Sequence, residues 1–103
     1  MFDLKRKPTH PGVILKEEFL APLGITQTEL AEKLRTTFRT VNEILNEKRG
    51  ISPDMAIRLS RFFCTSEELW LNLQDQYDLY RTKDKIRGIL KEIRPYTGLA
   101  KAS

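Results

Sequence analysis

Four residues near the middle of the chain combine the side-chain types that bond flat, polar edges. Arg39 offers a fork of donors, Asn42 an acceptor beside a donor, Glu43 two acceptor oxygens and Phe38 an apolar ring. Arginine can bond guanine bidentately, asparagine can bond adenine the same way, a carboxylate accepts from cytosine, and an apolar group touches the thymine methyl. The set suits the edges of base pairs, provided that one element holds all four on one side. The competing reading of Arg39 and Glu43 is an i,i+4 surface pair, worth ~0.3 kcal/mol. For Phe38 it is an aromatic that closes the core at a helix start.

The elements around these residues supply the common side. With about 100° per residue, a helix beginning after Thr37 gathers Val41, Ile44 and Leu45 on one face, which must turn to the core. Arg39, Glu43 and Asn46 then stand opposite, flanked by Asn42 and Thr40. Upstream, Thr26 and Glu29 make a capping box, so a helix starts near Gln27 with Leu30, Ala31 and Leu34 inward. Two short helices joined by about three or four residues form a helix-turn-helix from about Thr26 to Asn46, and Ala31 is the small residue at their close approach. Gln27 and Thr37, at the two helix starts, are candidate phosphate contacts, and Lys48 and Arg49 just after the second helix add two more.

The flanking sequence predicts three further helices. Pro11, then Val13, Ile14, Leu15, Phe19 and Leu20, give the first, ended by Gly24. Ser52-Pro53-Asp54 opens the fourth, through about Phe63, and Ser66-Glu67-Glu68 opens the fifth. In the fifth, Leu69, Leu73, Tyr77 and Tyr80 form one stripe while Trp70, Leu71 and Leu79 lie off it. An apolar surplus of this kind marks an interface, and Trp70, Leu71, Tyr77 and Leu79 are the candidate contacts of a homodimer. Ile89, Leu90 and Ile93, ahead of Pro95, fit either a continuing helix or a strand pairing with Phe2–Arg6 in a short two-stranded β ribbon. The expected architecture is mostly α, a five-helix domain over residues 10–80 between an arm, 1–9, and a basic tail, 81–103.

Composition narrows the function classes. The 103 residues fit one domain, and the net charge of +4 is concentrated in residues 1–10, 35–49 and 81–103, while the segments between are net negative. Positive surfaces placed at a reading segment and at the chain ends suit phosphate. One histidine, His10, one cysteine, Cys64, and no glycine-rich phosphate loop leave none of the usual catalytic constellations, cofactor sites or metal sites to assemble, and the carboxylate pairs Glu17-Glu18 and Glu67-Glu68 read as solvated helix faces. His10 fits the turn into the first helix, and Cys64, beside Phe62 and Phe63, fits a buried reduced thiol. With neither a membrane span nor a signal peptide legible, the expectation is a cytoplasmic binder and not an enzyme.

Taken as strings, HPGVILKEEFLAPLGITQTELA, VNEILNEKRGISPDMAIRLS and EELWLNLQDQYDLY resemble the HigA antitoxins, a branch of the Xre/Cro-type helix-turn-helix family that includes virulence-associated protein I. The resemblance spans about His10 to Tyr80. It implies a lambda-repressor-like five-helix homodimer on a palindromic operator in double-stranded DNA. It also implies a type II antitoxin that neutralises a HigB-type mRNA endonuclease and represses the shared operon; the alternative is a solitary Xre-type repressor without a toxin. By position in the family, Phe38, Arg39, Asn42 and Glu43 read bases, and Gln27, Thr37 and Asn46 meet phosphates. The chain departs from the family at Arg35 and Glu47, where glycine is usual, and at Phe38, which is more often polar.

Overall fold

The computed structural model describes residues 7–97, which hold six helices and no strand. Helix α1 comprises Pro11–Ile14, a π-helical middle Leu15–Leu20, and Ala21–Leu23. Pro22 follows the π segment and has no N–H to donate, so the α-helical ladder has to change register here. The remaining helices are α2 Gln27–Leu34, α3 Phe38–Leu45, α4 Pro53–Phe63, α5 Glu67–Lys85 and α6 Arg87–Leu90.

Every helix start but that of α6 has a side-chain cap. The Thr26 hydroxyl accepts from the Glu29 amide while the Glu29 carboxylate accepts from the Thr26 amide, a complete capping box. Thr37, Ser52 and Ser66 accept from the amides of Thr40, Met55 and Leu69. The stops share one device as well. At the ends of α1 to α4 a residue in the left-handed conformation is followed by an amide that reaches back five residues, as in Ile25 to Leu20, Thr36 to Ala31, Lys48 to Glu43 and Thr65 to Ser60. Only the first has glycine, Gly24; Arg35, Glu47 and Cys64 take φ of 57°, 62° and 59°. A side chain in this conformation costs roughly 1 kcal/mol.

Leu15, Leu30, Leu34, Val41, Ile44, Leu59 and Trp70 form the centre of one core, with Phe19, Phe62 and Phe63 packed against it. Phe19 lies 4.8 Å from Phe63 and 5.1 Å from Trp70, ring centre to ring centre, and joins α1 to α4 and α5. Trp70 is fully buried, and its indole N–H donates to Thr65 at 2.8 Å.

Several expectations need correction. The core stripe of α5 runs through Trp70, Leu73, Gln74 and Tyr77, so Trp70 and Tyr77 are taken up inside the chain and are not surplus surface. Of the four candidate dimer contacts, Leu71 is half-buried and Leu79 is exposed, as is Tyr80. Cys64 is exposed, because a left-handed helix end turns its side chain out of the core. Ile89 and Leu90 lie in α6, so the C-terminal half of the β ribbon is helical, while Phe2–Arg6 lie outside the described residues. Helix α5 also runs on to Lys85, past the Tyr80 boundary.

Candidate nucleic-acid interface

Helix α3 is placed from behind by contacts to main chain. At Gly12 an added Cβ would lie 1.9 Å from the carbonyl oxygen of Ile44, so only glycine lets α1 sit this close to α3. The turn between α2 and α3 is clamped from α4, where Arg58 Nη1 donates to the carbonyls of Leu34 and Arg35, both at 2.8 Å. Asp54 holds the same guanidinium through Nε at 2.6 Å. The segment leaving α3 is tied to α5 by Gln74, whose Oε1 accepts from the Ile51 amide at 2.7 Å. Gln74 also closes against Gly50, where an added Cβ would lie 2.8 Å from the amide group.

His10 completes this support. It is buried at the start of α1, its Nδ1 accepts from the Gly12 amide at 2.8 Å, and its ring packs edge-on against Tyr77 at 4.8 Å. Burial pushes its pKa below the ordinary 6.5; Glu47 and Asp78 pull the other way, and Arg81 adds to the lowering. Lys7 and Arg81 lie over the Tyr77 ring, 5.7 and 5.6 Å from its centre. The turn-forming role expected for His10 is the one observed.

With Val41, Ile44 and Leu45 buried, α3 presents its other side outward. Two clusters of side chains organise that surface. In one, Asn42 Nδ2 donates to Gln27 Oε1 at 3.0 Å, and Asn46 Nδ2 donates to Asn42 Oδ1 at 3.1 Å, a chain of amides linking the start of α2 to the end of α3. In the other, Glu43 stands between two arginines. Arg39 Nε donates to Oε2 at 3.1 Å, and Arg49 donates through Nε and Nη2 to Oε1 at 2.9 and 2.7 Å. The two guanidiniums hold the Glu43 carboxyl below the usual carboxylate range, Arg49 more than Arg39.

Phe38 is 52% exposed at the leading end of α3, so it does not close the core. Thr37 caps the helix, with its hydroxyl bonded to the Thr40 hydroxyl as well. Lys48 and Arg49 are exposed beyond the helix end. The structure therefore brings Gln27, Asn42 and Asn46 together, and Arg39, Glu43 and Arg49 together. Sequence reasoning missed Gly12, Arg58 and Gln74. Of these only Arg58 carried a signal, its i,i+4 spacing from Asp54, and that spacing says nothing of the carbonyls it reaches.

Among the described residues no group of His, Cys, Asp and Glu is arranged to hold a metal, and no helix is long and apolar enough to cross a membrane. The helix-turn-helix family profile matches residues 15–70, which contain every contact of both clusters. Virulence-associated protein I of Dichelobacter nodosus is 47% identical over 70 residues, covering 68% of this chain and 65% of that protein. The antitoxin HigA-1 of Vibrio cholerae serotype O1 is 36% identical over 95 residues, covering 92% and 90%. Among solved structures, the Pseudomonas aeruginosa antitoxin HigA with the higBA promoter is 47% identical, covers 85% of this chain and 97% of its own, and superposes with a TM-score of 0.83. A capped α2–turn–α3 unit with a polar outward face, matched over nearly the whole length of two HigA proteins, makes this chain a member of the helix-turn-helix family, in its HigA antitoxin branch.

Proposed function

We propose that the chain is a DNA-binding antitoxin that represses its own operon and neutralises a HigB-type toxin. The observation that carries the reading is the outward face of α3, where Arg39 keeps a side chain 85% exposed beside Asn42 and Glu43. Its Nε is engaged by Glu43, which leaves the Nη1/Nη2 edge for the two acceptors that guanine shows in the major groove. Phe38 leads the helix into the groove, where N-terminal residues reach deepest. Gln27, Thr37, Asn46, Lys48 and Arg49 border this face and are assigned to phosphates.

The operator is palindromic and is met by a homodimer, with half-sites about 34 Å apart centre to centre. Leu71 and Leu79 remain as candidate dimer contacts, since Trp70 and Tyr77 serve the chain's own core. The reading and dimerising domain, expected over residues 10–80, runs to the end of α5 at Lys85 and lies between a short arm and a basic tail. On this reading the protein is a binder and not an enzyme, needs no cofactor, and works in the cytoplasm. Its relatives support the assignment; one of them is an antitoxin with its promoter.

The test is a gel shift on the DNA upstream of the protein's own gene, with wild type and Arg39→Ala. The variant is expected to weaken operator binding by ~1 to 3 kcal/mol and to relax one base position in each half-site. Unchanged affinity and preference would remove Arg39 from the reading set. Binding by a monomer that ignores the palindrome would remove the dimer.

A further inference from the structure

We propose that Glu43 is a positioning residue for Arg39, not a reader of a base of its own, and that Arg49 fixes it in that role. The inference rests on the base-reading assignment of α3. Both carboxylate oxygens of Glu43 are already in use, Oε1 by two donors of Arg49 and Oε2 by Arg39. Its side chain is 25% exposed against 85% for Arg39, so the carboxylate sits beneath guanidinium and the arginine stands above it. To accept from the amino group of cytosine, Glu43 would have to take it on Oε2 beside Arg39, the one oxygen with a site to spare among roughly four, or exchange a cationic donor for a neutral one. Charge-assisted bonds are roughly twice as strong as neutral ones, and that exchange runs uphill.

The other cluster on the same helix behaves differently. Asn42 is held by Gln27 and Asn46, neutral amides on both sides, and either bond can be traded for an equivalent bond to adenine without loss of charge pairing. Arg39 gains from being held. A long side chain that is free in solution must be ordered before it can bond a base, and the Glu43 bond to Nε orders it beforehand while leaving the far edge of the guanidinium unobstructed. The carboxyl is held below the usual carboxylate range, so it stays ionised near neutral pH and the grip persists there. Arg49 contributes the anchor, because its two donors on one oxygen keep Glu43 from swinging toward the groove.

The experiment measures binding of each protein to a library of operator half-sites carrying every single-base substitution, at one salt concentration. The proteins are wild type, Arg39→Ala, Glu43→Ala, Glu43→Gln, Arg49→Lys and the double variant Arg39→Ala/Glu43→Ala. Glu43→Ala is expected to relax the preference at the same base pair as Arg39→Ala, by about 3- to 10-fold, and at no other. The double variant should be no worse than Arg39→Ala alone. Glu43→Gln, nearly the same in shape, should relax that base pair too, and it carries the comparison should Glu43→Ala melt early. Arg49→Lys keeps the charge but lacks the planar fork, and should relax the same pair by a smaller factor.

A loss at a separate base pair, an additive double variant, or unaltered preferences in both Glu43 variants would overturn the proposal. If Arg39→Ala itself leaves all base preferences intact, the base-reading assignment fails and takes this inference with it. If Arg39→Ala relaxes a base pair and Glu43→Ala does not, the inference alone fails.

Discussion

Helix α3 is held from behind and dressed in front, and the two sides are bonded in different ways. Behind it, Gly12 abuts the Ile44 carbonyl, Arg58 bonds the carbonyls of Leu34 and Arg35, and Gln74 bonds the Ile51 amide. All of these involve main chain, whose groups have few other partners once the helices have packed. In front, the side chains of Arg39, Asn42, Glu43, Asn46, Arg49 and Gln27 bond one another. Exposed pairs of that kind contribute roughly 0 to 1 kcal/mol each to folding, and the neutral amide bonds of Asn42 can be traded for water or for a base. The back of the helix therefore fixes where reading happens, and the front decides what is read.

That division predicts which substitutions cost folding and which cost recognition. The largest effect on folding should come from Gly12→Ala. A methyl group 1.9 Å from the Ile44 oxygen cannot be absorbed by a side-chain rotation, since the two nearest atoms are both main chain. Overpacking of this sort costs ~1 to 3 kcal/mol, which urea denaturation should detect together with weaker operator binding as α1 and α3 separate. A Gly12→Ala protein of undiminished stability would show that the close approach is not part of the support.

Arg58→Met comes next. It removes the charged donor from two carbonyls at the end of α2 while leaving a hydrocarbon stem of similar length. Because the Arg35 end is open to water, the loss should be about 1.5 kcal/mol, at the low end for a charge-assisted bond. The expected signature is reduced stability with the base preference intact, the reverse of Arg39→Ala. A relaxed preference in Arg58→Met would mean that the clamp also sets the angle at which α3 meets the groove.

The same division explains what could be read from the sequence. The starts of α2, α4 and α5 were legible because a hydroxyl followed by an acid has one strong local use, at Thr26, Ser52 and Ser66. The outward face of α3 was legible because Val41, Ile44 and Leu45 fix the inward one. The stops were legible at Gly24 alone from the residue itself, since nothing in an arginine, glutamate or cysteine marks a left-handed residue; at Arg35 and Glu47 only the family pattern pointed to glycine turns. Cys64 was misread for that reason. Trp70 and Tyr77 were misread because the apolar residues of α5 outnumber its buried positions, and periodicity alone left two stripes to choose between. Arg58 and Gln74 act on carbonyls and amides more than twenty residues away in sequence, a relation that side-chain types do not encode.

The two sides of α3 should also respond to acid in different windows, and the effect on the back is the mildest predicted here. His10 Nδ1 must be unprotonated to accept from Gly12, and burial keeps its folded pKa below 6.5. Unfolding restores the ordinary value, so the unfolded chain binds the extra proton more readily as the pH falls. The contribution of His10 to stability is thus fully present above about 6.5 and is lost as the pH drops from there through the lowered pKa. Glu47, Asp78, Arg81 and Lys7 surround the site, and His10→Asn, which retains an acceptor but does not titrate, should flatten the decline. In front, Glu43 loses its charge only below the usual carboxylate range, so the preference at the Arg39 base pair should hold across the interval in which stability falls. Denaturation curves and half-site binding, measured side by side from pH 7.5 to about 5.5, check both halves. If the base preference relaxed in step with stability, the two sides of the helix would be coupled through the protonation of His10, and the separation between support and reading would not hold.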